Sequence, residues 1–101
     1  MEKRQVAVTI TSYQDGNVQI TARPVGGEFT RQEVDQLERE SDWLRRLDEL
    51  LEAENGSYCS VEYNHAKATY SKKGTIENFE KFVLAIFGEV FDVIRLTREK
   101  P

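Results

Sequence analysis

The stretch from Thr30 to Gly56 limits the chain more than any other, because it specifies both ends and both sides of one helix. Thr30 and Glu33 have the Thr-x-x-Glu spacing in which each side chain satisfies a backbone N–H of the other, and Phe29 and Val34 occupy the positions that staple a helix start. Asn55-Gly56 closes the stretch, since glycine accepts the left-handed cap conformation at little cost. A helix is therefore expected from about Gln32 to Glu54. At ~100° per residue, Leu37, Trp43, Leu44, Leu47, Leu50 and Leu51 fall on one broad apolar side. Asp35, Glu38, Asp42, Glu49 and Glu52 gather on the other, with Arg45 among them and Arg39 on a flank. Such a helix cannot stand alone, so the rest of the chain must supply a surface that covers its leucines. Glu40 points into the apolar stripe and is expected to lie beyond the edge of that surface, in water. A covered carboxylate would need a paired base or a raised pKa.

Strands supply the covering surface. Val6, Val8 and Ile10 alternate with Ala7, Thr9 and Thr11, the period of a half-buried strand, and Val18, Ile20 and Ala22 repeat the pattern. A two-residue Asp15-Gly16 turn would set Ile10 opposite Thr21 and split the apolar sets between two faces. A three-residue loop, Gln14-Asp15-Gly16, instead pairs Tyr13 with Asn17, Ile10 with Ile20 and Val8 with Ala22, and puts Gly16 at the left-handed position. Pro24 to Glu28 then turns the chain toward the helix. A second hairpin, Ser57 to Lys72, is expected to turn at Asn64-His65, with Tyr63 facing Ala66, Val61 facing Ala68, Cys59 facing Tyr70 and Glu62 meeting Lys67.

Thr75 is expected to cap a second helix whose apolar positions are Ile76, Phe79, Phe82, Val83, Ile86 and Phe87. Gly88 allows two readings: the stripe continues through Val90, Phe91 and Ile94 as one long helix, or Gly88 ends it and Val90 to Thr97 form a last strand. The second is expected, because an interior glycine costs ~1 kcal/mol and the following residues are rich in β-branched side chains. The order is then β-β-α-β-β-α-β. Two amphipathic helices sharing one core belong on the same face of a mostly antiparallel sheet, leaving threonines, glutamines and lysines on the other face. With 101 residues and no linker, the chain 1–101 is expected to be a single α+β domain that folds without metal or disulfide.

The chemistry available is sparse. Cys59 is the only cysteine and the opening MEKRQVAV has no long apolar run, so a cytoplasmic setting without membrane contact is expected. The one histidine, His65, falls in a turn, away from Cys59 down the strand, which argues against a nucleophile and base in hydrogen-bond reach. The pattern contains neither spaced metal ligands nor a phosphate-binding glycine loop. The expectation is no catalytic residue, no metal and no cofactor.

Charge is the remaining signal. Residues 33–54 hold nine acids against three bases, a local charge of -6 within a total of -4, so the remainder carries +2. A focused negative field raises encounter with a basic partner. The expected function is a small non-enzymatic protein-binding regulator or inhibitor of bacterial or phage type. Its contact residues would be Asp35, Glu38, Asp42, Arg45, Glu49 and Glu52, and a nucleic-acid-handling protein would be a suitable partner. One alternative is nucleic-acid binding through Tyr58, Lys67, Lys72 and Lys73 on the second hairpin, against which an isoelectric point near 5.0 weighs. Another is self-association through a sheet edge or the flank of Trp43 and Leu50.

Overall fold

In the computed structural model, which describes residues 3–14, 16–42, 58–73 and 79–100, β1 (Arg4–Ser12) and β2 (Val18–Pro24) form the expected hairpin. Ile10 pairs with Ile20 and Val8 with Ala22. The Tyr13 N–H donates to the Asn17 carbonyl at 2.9 Å and the Gly16 N–H to the Tyr13 carbonyl at 3.1 Å, with Gly16 at a φ of 89°. The left-handed glycine is what allows three loop residues to close the ladder.

Helix α1 starts at 31 and is described to 42. Its capping box forms in both directions: Thr30 N–H to Glu33 Oε1 at 2.8 Å, and Glu33 N–H to Thr30 Oγ1 at 3.2 Å. Phe29 and Val34 are both buried. The expected continuation to Glu54, its cap at Asn55-Gly56, and Trp43, Leu44, Leu47, Leu50 and Leu51 lie outside the described residues.

β3 (Tyr58–Tyr63) and β4 (Ala68–Lys73) make the second hairpin, in a register that differs from the expected one. Tyr63 pairs with Ala68, Glu62 with Thr69 and Val61 with Tyr70, so the tight turn falls at His65-Ala66 rather than Asn64-His65. Two interactions select the later turn. Asn64 Oδ1 accepts the N–H groups of Ala66 and Lys67 at 2.7 and 2.9 Å, closing the turn locally. His65 also bonds to Phe29 twice, its carbonyl accepting the Phe29 N–H at 2.8 Å and its Nδ1 donating to the Phe29 carbonyl at 2.7 Å. The displacement keeps the pairing parity, so Ala68 and Tyr70 stay on the buried side as expected.

α2 (Phe79–Val90) runs directly into β5 (Phe91–Glu99). The closing strand is therefore present, but Gly88 does not end the helix: the last turn continues to Val90, and only Gly16 and Gly27 among the described glycines have positive φ. The Lys3 ammonium donates to the Gly88 carbonyl at 2.8 Å, satisfying an acceptor at the helix end. The proposed cap Thr75 and the apolar Ile76 lie outside the described residues.

The five strands form one sheet in the order β3-β4-β2-β1-β5. Three pairs are antiparallel and the last, β1 with β5, is parallel. A parallel closing pair follows from the connections, because β4 runs parallel to β1 and the α2 crossover returns the chain in the same direction. Both helices cover one face. Val6, Val8 and Ile10 from β1, Ile20 and Ala22 from β2, and Ala68 and Tyr70 from β4 are buried beneath Val34 and Leu37 of α1 and Val83, Ile86 and Phe87 of α2. A series of rings crosses this layer. Phe29 stacks on Phe91 at 4.9 Å, Phe87 lies 6.5 Å from Phe91 and meets Tyr70 edge-on at 5.2 Å, and Tyr70 meets Tyr63 at 5.9 Å. Such contacts contribute about 0.5–1.5 kcal/mol each beyond area burial.

Candidate protein-binding surface

What α1 presents outward depends on how its inner side is fixed. Val34, Leu37 and Ser41 are buried at helical spacing, and Ser41 has no exposed surface at all. Its hydroxyl donates to the Leu37 carbonyl one turn back at 2.6 Å. The Tyr63 hydroxyl reaches Ser41 Oγ at 2.7 Å and the Tyr70 hydroxyl at 2.9 Å, and Tyr70 bonds Ser41 as well. Since the Ser41 proton is used on Leu37, Tyr63 and Tyr70 act as the donors toward Ser41, and their own 2.9 Å approach adds no further proton. This hydroxyl cluster fixes the rotation of α1 more sharply than aliphatic contact alone, because turning the helix would leave buried hydroxyls without their present partners.

With that rotation fixed, Glu38 and Asp42 are exposed and Asp35 is partly exposed. Together with Arg39 they line one shallow depression on the outer side of α1. Arg31 pairs with Asp35 one turn away at 3.2 Å, and both side chains are wet enough that the pair adds only a few tenths of a kcal/mol. The structure thus brings Asp35, Glu38 and Asp42 together as the sequence pattern requires. Arg45, Glu49 and Glu52 lie outside the described residues. Glu40 is partly buried beside Ser41 rather than fully in water beyond the sheet edge as expected.

Glu33 belongs to the helix start rather than to this surface. Arg4 Nε lies 2.8 Å from both carboxylate oxygens, and Arg4 Nη1 donates to the Gly26 carbonyl at 3.0 Å. Partial burial pushes the Glu33 carboxyl up, but the bonds from Arg4 and from Thr30, with the Arg4 charge, outweigh it and hold the group below the ordinary carboxylate range. Sequence spacing cannot reveal Arg4, which is 29 residues away. The only hint is a base at the start of a strand that precedes the helix.

The alternative set fares differently. Lys67 is exposed beside the hairpin turn, and Tyr58 is paired with Lys73 at the far end of β3 and β4, next to Lys72. The side chains of Tyr58, Lys72 and Lys73 lie outside the described residues. The helix-free face of the sheet carries the expected threonines, with the Thr21 and Thr69 hydroxyls 3.1 Å apart, and forms a concavity of about 650 Å³. Among the described residues on its rim, Arg23 and Lys67 are balanced by Glu62 and Glu99. Among these described residues the charges cancel, so they exert no net pull on phosphate.

Among the described residues no group of three metal-ligating side chains converges, and no helix is long and apolar enough to cross a membrane. No protein-family profile matches the chain, and no curated protein matches it. Among solved structures, the crystal structure of SMU.848 from Streptococcus mutans is similar at 15% identity with a TM-score of 0.41, covering 95% of this chain and 97% of that one.

Proposed function

We propose that the chain is a small protein-binding regulator or inhibitor, of bacterial or phage type, that acts by occupying a basic surface on another protein. The contact is the outer side of α1. The observation that supports this reading is the exposure of Glu38 and Asp42, with Asp35 beside them, on a helix whose opposite side is held by Leu37, Ser41 and the two tyrosine hydroxyls. A field fixed to a rigid element needs little reorganisation on docking, and it steers a basic partner during encounter. A groove that itself binds nucleic acid has the matching charge, and α1 would place carboxylates where phosphates otherwise sit. No bond is made or broken in this role.

The test replaces Asp35, Glu38, Asp42 and Glu49 with lysine and compares partner capture from host lysate with the wild type. Capture is expected to disappear while the circular dichroism melt stays nearly the same. Undiminished capture by the variant overturns the proposal. An oligonucleotide that binds the wild type at low salt and is released as salt rises would favour the hairpin reading instead.

A further inference from the structure

We propose that β5 is an interface for a second copy of this chain, the two β5 strands pairing antiparallel about a two-fold axis so that the sheets join edge to edge. β5 is outermost in the strand order, bonded to β1 on one side and to no other strand among the described residues on its other side. Such an edge is usually blunted by charge, proline, a bulge or brevity. β5 is nine residues long and has no proline; it carries four charged residues and one bulge, and still exposes 48% of Ile94 and 45% of Leu96.

The strand is also complementary to itself. Its pairing with β1 sets Val93 beside Val6 and Leu96 beside Val8, which places both on the helix-covered side. Asp92 beside Gln5, Arg95 beside Ala7 and Thr97 beside Thr9 fall on the helix-free side. The register shifts between Val6 and Ala7, so Ile94 is an extra residue; this is why Val93 and Leu96, three apart, share a side. One of the antiparallel registers that keep like sides together sets Val93 against Leu96 of the second copy and, by symmetry, Leu96 against its Val93, with the extra residue Ile94 of each strand at the axis. It then sets Asp92 against Thr97 of the second copy and diagonal to its Arg95, and the axis repeats the pair. Two apolar contacts, with the half-buried Leu84 of α2 behind each, lie on one side and two opposite-charge diagonals on the other. Centring the axis on Arg95 would instead oppose two guanidinium groups. The contact is small beside obligate interfaces, so the expected dissociation constant is on the order of 10 μM.

Sedimentation of the full chain, at concentrations from well below to well above that value, should show a shift from 11.7 kDa toward twice that mass. Leu96→Lys is expected to stay monomeric throughout. Arg95→Glu, a change on the exposed surface that circular dichroism should show to be folded, is expected to weaken association about tenfold. Asp92→Arg combined with Arg95→Glu should restore it. A wild type that stays monomeric at the highest concentration overturns the proposal. So does a dimer indifferent to Leu96→Lys and Arg95→Glu, a double variant that fails to recover, or a dimer lost on reversing Glu38 and Asp42 instead.

Discussion

Glu33 accepts from Thr30 N–H and from Arg4 Nε, so one carboxylate completes a helix cap and ties β1 to the start of α1. Glutamine at this position can keep the reciprocal cap but not the charge. Glu33→Gln is therefore expected to lose about 0.5 kcal/mol and Glu33→Ala about 1–1.5 kcal/mol, measured by urea unfolding at neutral pH. The pH dependence has a definite sign. Glu33 titrates lower folded than unfolded, so its contribution is fully present above the unfolded value of ~4.3 and is lost as pH falls through the lowered folded value. The gap between wild type and Glu33→Gln should thus be constant near neutrality and shrink in acid; a gap that grows in acid would contradict the assignment. The Thr30 and Glu33 spacing is visible in the sequence because both groups lie within one turn, whereas Arg4 is brought there only by folding. Ser41 is a similar case, since its position on the helical wheel says nothing of the two hydroxyls that meet it from β3 and β4. Ser41→Ala leaves those tyrosines competing for the Leu37 carbonyl and is expected to cost about 1–3 kcal/mol, read from the same unfolding curves.

Two glycines separate what a local pattern decides from what the surroundings decide. Gly16 sits at a φ of 89° and closes the first hairpin, so Gly16→Ala should destabilise by about 1 kcal/mol through backbone strain, with no space problem around it. Gly88 lies inside α2 with open space at its Cβ position and no positive φ, so Gly88→Ala should stabilise by about 0.5–1 kcal/mol. Thermal melts of the two variants should move in opposite directions. The first hairpin is readable from the sequence because the apolar faces and Gly16 agree on one loop length. The second is readable only to its parity: Asn64 suits a turn in either register by residue type, and the later one is selected in the fold by the bonds of Asn64 to Ala66 and Lys67 and by the docking of His65 on Phe29, a contact across 36 residues. In α2 the stop at Gly88 was expected from propensity, and packing overrides it, since Phe87, Val90 and Phe91 all reach the core from consecutive turns.

At the scale of the molecule, the number, order and type of elements follow from periodicity, while the neighbours of each strand do not. Nothing in the residues of β5 says that it lies beside β1 rather than beside β3; that is settled when α2 carries the chain across the covered face, and it decides which strand is left at the sheet edge. The acidic side of α1, by contrast, is written in the spacing of Asp35, Glu38 and Asp42, and only the hydroxyl network that holds it in place is hidden. The strand order has a measurable consequence. β1 and β2 are bonded on both sides and β5 on one, so in dilute solution early-time hydrogen exchange should be faster in peptides covering 91–99 than in those covering 4–12 and 18–24. If the outer edge of β5 takes a second copy, raising the protein concentration should slow early exchange in 91–99 and leave 58–73 unchanged, because β3 and β4 lie at the other end of the sheet. Mass action would also slow the late, global exchange of β1 and β2, so the early time points carry the distinction. Equal early rates in β5 and β1 at every concentration would mean that the edge is already covered within one chain, and the pairing across the two-fold axis would have no strand left to use.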